Sequence, residues 1–162
     1  MIRAFKKRDV KEWCRIKEEN LLAINSKHYP REIINYLVCT NTPEKVLENS
    51  KQRIMLVAED GGRVVGTISL TGDGEINNLF VKPELHGTGI GKGLLKAIEE
   101  KAASKGLNKL FLYASTNAVD FYKKNGYEKE HEEVEEINNK EYKVVFMTKR
   151  ITTSRLKNCS VG

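Results

Sequence analysis

The residues most open to a chemical reading run Leu79-Phe80-Val81-Lys82-Pro83-Glu84-Leu85-His86-Gly87-Thr88-Gly89-Ile90-Gly91-Lys92-Gly93-Leu94-Leu95. An apolar run ending at Val81 enters a turn with glycine at every second position, and the turn opens into helical spacing. The first N–H groups of a helix have no partner four residues back. The same end carries about half a unit of positive charge. Glycine lets a bulky anion approach the backbone and permits unusual φ values. Together these features make a pyrophosphate cradle over Gly87, Thr88, Gly89, Ile90, Gly91 and Lys92. The P-loop pattern does not fit, because Gly91-Lys92 is preceded five residues back by His86 and followed by Gly93. The dinucleotide fingerprint G-x-G-x-x-G also fails, since Gly87-x-Gly89 reaches Lys92 and Gly89-x-Gly91 reaches Leu94.

A second constellation lies downstream: Asn117-Ala118-Val119-Asp120-Phe121-Tyr122-Lys123-Lys124-Asn125-Gly126-Tyr127, preceded by the apolar run Leu110 to Ala114. Tyr122 carries a phenol that stays protonated at neutral pH and can act as a proton donor. Upstream, Glu75 opens the strand that leads into the glycine turn, after Thr71-Gly72-Asp73-Gly74. A carboxylate there can accept a proton, directly or through water. Asn77 and Asn78 are unusual inside a strand and suit either a polar contact or a bulge.

The elements that must hold these groups follow from periodicity. A first strand is expected over Met1 to Phe5, then a helix to about Ile24 with Asp9 as N-cap and Glu12 completing a capping box. His28-Tyr29-Pro30 breaks it, and a second helix carries Ile33, Ile34, Leu37 and Val38. Thr42-Pro43 starts a short third helix through Asn49. From Arg53 the period becomes that of strands: Ile54 to Ala58, a turn at Asp60-Gly61-Gly62, Arg63 to Leu70, then Glu75 to Val81. Ile90, Leu94, Leu95, Ile98 and Ala102 mark the buried stripe of a strong helix that Gly106 stops. A strand over Lys109 to Ala114 follows, then a short helix capped by Asn117 and ended by Asn125-Gly126. Two strands close the chain, Glu128 to Ile137 and Glu141 to Lys149, around the turn Asn138-Asn139-Lys140. The fold class is α/β (α+β), a mixed sheet with helices on both faces. One domain is expected over residues 1–151, with a tail over 152–162.

Strand, V-x-P, a glycine turn and an amphipathic helix together resemble the acetyl-CoA signature of the GNAT superfamily of N-acetyltransferases. The block N-x-x-x-x-F-Y-x-x-x-G-[FY] resembles its second motif. The resemblance covers about Arg53 to Arg150. His86 departs from it, standing where the family usually has arginine or glutamine, and is expected to contribute mainly its backbone N–H. The resemblance implies a mostly antiparallel sheet with a splay between the fourth and fifth strands. It implies acetyl-CoA as co-substrate, its pantetheine arm along Leu79, Phe80 and Val81, its pyrophosphate on the N–H groups of Gly87 to Lys92, and Asn117 on the arm. Tyr122 becomes the general acid for the departing thiolate and Glu75 the leading general base. An amine acceptor would attack directly, with no metal and no covalent enzyme intermediate. His28 and Tyr29 fall where acceptor-recognition loops lie, with His28 as a further base candidate. A non-catalytic acyl-CoA-binding module is the alternative reading.

Composition bounds the rest. Three cysteines, Cys14, Cys39 and Cys159, form neither a disulfide framework nor a zinc pattern. The net charge of +6 favours anionic partners. The lysines are scattered, however, and the acidic run from Glu128 to Glu136 interrupts any basic face, so nucleic acid is not expected. No apolar run approaches the roughly 18 residues of a membrane span. MIRAFKKRDVKEW lacks the apolar core of a signal peptide, so a cytoplasmic location is expected. His131 receives no role. The acidic run reads as a solvated strand, although it would also draw a cationic acceptor. The acceptor stays open among small amines, polyamines, amino acids, antibiotic amines and protein amines, and so does a homodimer.

Overall fold

The computed structural model describes residues 1–153. Its first sheet has the order β1-β2-β3-β4, with β1 (Ile2–Ala4), β2 (Ile54–Asp60), β3 (Arg63–Leu70) and β4 (Ile76–Val81), every pair antiparallel. The second sheet has the order β5-β7-β6, with β5 (Lys109–Ser115), β6 (Glu128–Ile137) and β7 (Lys140–Arg150), again antiparallel. One parallel bridge joins the sheets, Glu75 to Phe111, where the Phe111 N–H also donates to the Gly74 carbonyl at 3.1 Å. A Cβ on Gly74 would stand 2.8 Å from the Lys109 carbonyl oxygen, so only glycine lets the strands meet there. Past that bridge β4 and β5 part, which is the expected splay.

Alternation along β2 feeds a core on each face. Met55 and Val57 pack with Trp13 and Ile16 of α1 (Val10–Ala23) and Val46 of α3 (Pro43–Asn49). Leu56 and Ala58 point the other way, onto Leu94, Leu95, Ile98 and Ala102 of α4 (Ile90–Ser104). Each of these large side chains contributes about 1.5–3 kcal/mol by leaving water. Gly66 sets the approach of α4, since a Cβ there would lie 2.8 Å from the Leu94 Cδ1. α2 (Arg31–Cys39) and α5 (Val119–Lys124) flank the gap between β4 and β5.

The structure corrects three local expectations. Asp9 holds the N-cap position of α1 as expected, but its side chain does not cap the helix: it ends a 3-10 turn over Lys7–Asp9, and its buried carboxylate accepts from the Lys6 N–H at 2.7 Å and from both terminal nitrogens of Arg3 at 2.8 and 3.0 Å. Asn117 does not cap α5, for it sits inside a 3-10 turn (Thr116–Ala118) and the cap position is Ala118, with no side-chain bond. The last hairpin turn is shorter than expected. Asn138 and Asn139 both adopt positive φ, 50° and 61°, the two-residue geometry that suits strand twist, and Lys140 already belongs to β7. The expected tail over 152–162 lies, after its first two residues, outside the described residues.

Candidate active site

The glycine turn folds as an open cradle. Val81 ends β4, a 3-10 turn spans Pro83–Leu85, and α4 begins at Ile90. Gly87 and Gly89 have φ of 79° and 89°, and nothing lies within 4 Å of where a Cβ would point at either. The first intrahelical bond is Gly93 N–H to Gly89 carbonyl at 3.0 Å. Among the described residues this leaves the N–H groups of Gly87, Gly89, Ile90, Gly91 and Lys92 without protein partners. These amides stand at the positive end of a 15-residue helix, open at Gly87 and Gly89 and backed at Gly91 by the Phe121 ring, 3.5 Å from where a Cβ would stand. That fits a pyrophosphate. The Thr88 N–H points back to the Leu85 carbonyl at 3.4 Å, as does its hydroxyl at 2.6 Å.

His86 behaves differently from expectation. Its backbone N–H is already donated to the Pro83 carbonyl at 3.2 Å, and its ring makes the further polar contacts. Nε2 lies 2.9 Å from the Val81 carbonyl and 3.1 Å from Oδ1 of Asn20. Asn20, 4% exposed on α1, donates Nδ2 to the same Val81 carbonyl at 2.8 Å and to the Ile16 carbonyl at 2.8 Å. Sequence reasoning missed Asn20. The available signal was a carboxamide on the apolar stripe of α1, beside Leu21.

The β4 backbone explains why that carbonyl needs partners. Lys82 N–H bonds the Val65 carbonyl at 2.9 Å across the Gly66–Val81 pair. The peptide groups of Val81 therefore face away from β3, into the gap. Nearby, Ile68 faces both Asn78 and Leu79, because Thr67 pairs with Phe80 and Ser69 with Asn77. Asn78 takes φ 55° to make this bulge, and its carbonyl accepts from the Thr67 hydroxyl at 2.7 Å.

Two clefts meet in the gap. One, of about 560 Å³, is walled by Leu79, Phe80 and Val81, by Asn117, and by the turn residues His86, Gly87, Gly89, Gly91 and Lys92. Thr88 and Ile90 do not line it, so they can serve it only through backbone groups. The other, of about 290 Å³, is walled by Glu75, Asn77 and Asn78 on one side and by Tyr113, Tyr142 and Glu135 on another. Tyr122, Leu79, Phe80, Ser115 and Ala118 belong to both. Among the described residues Tyr122 Oη has no hydrogen-bond partner, while no buried side-chain polar atom there lacks one, so the hydroxyl opens onto the cleft. Burial pushes its phenol well above the ordinary 10.

Glu75 and Tyr122 thus share the second cleft. Tyr29 lines it too, its hydroxyl donating to the Lys143 carbonyl at 3.3 Å and its ring edge-on to Tyr142 at 5.4 Å. Burial pushes the Tyr29 phenol up to about 12. Tyr142 Oη in turn donates to Glu135. Tyr142 and Glu135 were not singled out from sequence, for only the β6–β7 pairing brings them to this wall. His28, by contrast, is exposed and lines neither cleft. Cys14 and Cys39 line neither cleft, and Cys159 lies outside the described residues. Among the described residues no group of three or more His, Cys, Asp or Glu side chains is placed to hold a metal ion, and no helix is long and apolar enough to cross a membrane.

Comparison with known proteins agrees with this geometry. A model of the acetyltransferase (GNAT) domain matches residues 20–151. Over 84 residues, 50% of this chain, the sequence is 37% identical to the uncharacterized N-acetyltransferase YjcF of Bacillus subtilis strain 168, of which the stretch covers 59%. The chain spans a little over half the length of the curated relatives it matches. The fold resembles a GCN5-related N-acetyltransferase from Rhodopseudomonas palustris, with a TM-score of 0.86 and 26% identity over 93% of this chain and 95% of that one. It also resembles the PaiA N-acetyltransferase of Thermoplasma acidophilum, solved in complex with coenzyme A, with a TM-score of 0.79 and 23% identity over 93% and 98%. A bulged strand, a free-amide turn opening a long helix, and a domain match over most of its length place this chain in the GNAT acetyltransferase family.

Proposed function

We propose that this protein transfers an acetyl group from acetyl-CoA to a primary amine. The observation that carries the reading is the junction at Tyr122: one cleft runs from it to the open amide cradle, the other to Glu75. Acetyl-CoA supplies the acyl group as an activated thioester. The free amides of Gly87 and of Gly89 to Lys92 hold its pyrophosphate, and Leu79, Phe80, Val81 and Asn117 line its arm.

A backbone N–H of the splayed β4 edge at the junction donates to the acetyl carbonyl and stabilises the negative charge that grows on its oxygen. Glu75 accepts a proton from the acceptor ammonium, through water, so that the amine enters neutral. Tyr122 keeps its proton at neutral pH and presents it at the junction as the general acid. The two proton-handling groups thus sit on one cleft with opposite duties.

Thiol release from acetyl-CoA with a panel of amines tests the proposal. Amine-dependent release, lowered about 10²–10⁴-fold in Tyr122→Phe, supports it. Cofactor binding with no release across the panel would mark a binding module instead.

A further inference from the structure

Beside the acceptor cleft, α1, α3 and the bulged half of β4 line a neighbouring chamber of about 270 Å³. Three cationic residues line it, Lys17, Lys45 and Arg53, and no carboxylate does. Among the described residues none of the three takes part in an ion pair. Among the described residues their side-chain hydrogen bonds go only to neutral carboxamides: Lys17 Nζ to Asn78 Oδ1 at 3.4 Å and Arg53 to Asn77 Oδ1 at 3.2 Å. Burial holds the Lys17 ammonium below its ordinary pKa, and the charges of Lys45 and Arg53 press it the same way. Mutually repelling cations around a polar space are stabilised by an anion that pairs with all of them. Arg53 adds a planar fork suited to carboxylate or phosphate geometry.

The chamber is not isolated. Lys17, Asn77 and Asn78 line both it and the acceptor cleft that reaches Tyr122. A ligand can therefore place one group among the cations and another at the junction.

We propose that the chamber formed by Lys17, Lys45 and Arg53 binds an oxyanion, a carboxylate or phosphate carried by the amine acceptor. The acceptor is then a small amino acid or amino phosphate rather than a diamine. The identity of the amine rests on the acetyl-transfer reading; the oxyanion site does not.

Trp13, the only tryptophan of the chain, lines the chamber and reports on it directly. Inorganic phosphate and acetate, titrated separately, are each expected to change its emission saturably. The curves should weaken about tenfold or more in Lys17→Gln and in the surface variant Lys45→Gln, as loss of a charged partner implies. Gly89→Glu, which obstructs the cofactor cradle, should leave the curves unchanged, so that a failure of cofactor binding is read separately. In transfer assays, amines bearing a carboxylate or phosphate should show a KM at least about tenfold below that of their amide or dephosphorylated counterparts, a gap that Lys45→Gln closes. No saturable change in Trp13 emission, equal curves in the lysine variants, or a preference for diamines drawn by Glu75 and Glu135 would overturn the proposal.

Discussion

Asn20 and His86, 66 positions apart in sequence, hold the same carbonyl oxygen, that of Val81, at 2.8 and 2.9 Å. That carbonyl ends the strand whose open edge lines the cofactor cleft, and His86 begins the cradle. One polar cluster therefore fixes the angle between strand and cradle.

Removing Asn20 should both loosen the fold and misplace the cradle. Asn20→Ala leaves the Val81 carbonyl with one donor fewer, at a cost of about 1–3 kcal/mol. Thermal melts should fall by about 2–4 °C per kcal/mol at this chain length. His86→Gln retains a donor and should keep acetyl-CoA affinity closer to wild type than His86→Ala does. Equal affinity in both His86 variants would mean that the ring has no positioning role.

The Arg3–Asp9 pair predicts an acid-sensitive component of stability. Burial raises the Asp9 carboxyl, but the Arg3 guanidinium and the Lys6 N–H outweigh it and hold the pKa below the ordinary 3.8. With the folded pKa depressed, the contribution is complete above the unfolded value and is lost as pH falls through the folded one. The melting-temperature gap between wild type and Asp9→Asn should stay constant from about pH 8 to 5 and narrow progressively as pH falls below the carboxyl's ordinary 3.8. A gap that persists at the acid end would assign the effect to packing rather than charge.

As the proposed general acid, Tyr122 should set the alkaline limit of turnover. Burial raises its phenol, so the protonated form persists above its ordinary 10. The kcat profile should show no loss from this group up to about pH 10. Tyr122→Phe should lower kcat about 10²–10⁴-fold with acetyl-CoA affinity retained. A variant that binds acetyl-CoA and turns over at the wild-type rate would remove Tyr122 from the chemistry.

The parts of this protein legible in its sequence are those governed by local rules. The α4 stripe, the Gly61-Gly62 turn, the glycine cradle and the N-cap of α3, where Thr42 Oγ1 accepts from the Lys45 N–H at 3.3 Å, all follow from spacing within a few residues. Asn77 and Asn78 stood out in sequence as suited to either a polar contact or a bulge, and Asn78 makes the bulge. What was not legible depends on topology. Asn20 meets His86 only because α1 crosses β4, and Glu135 shares a cleft with Glu75 only because β6 joins β7 beside the gap. Asp9 looked like a cap from its immediate neighbours, but a partner six residues upstream, Arg3, claims its carboxylate.

The most direct test of the account is a calorimetric titration of the protein with acetyl-CoA, alongside Gly89→Glu and the backbone-unstrained variant Lys92→Glu. Saturable binding by wild type is expected, lost in Gly89→Glu, which puts a carboxylate on the cradle, and markedly weakened in Lys92→Glu. Absence of binding by the wild-type protein, or undiminished binding by both variants, would contradict it.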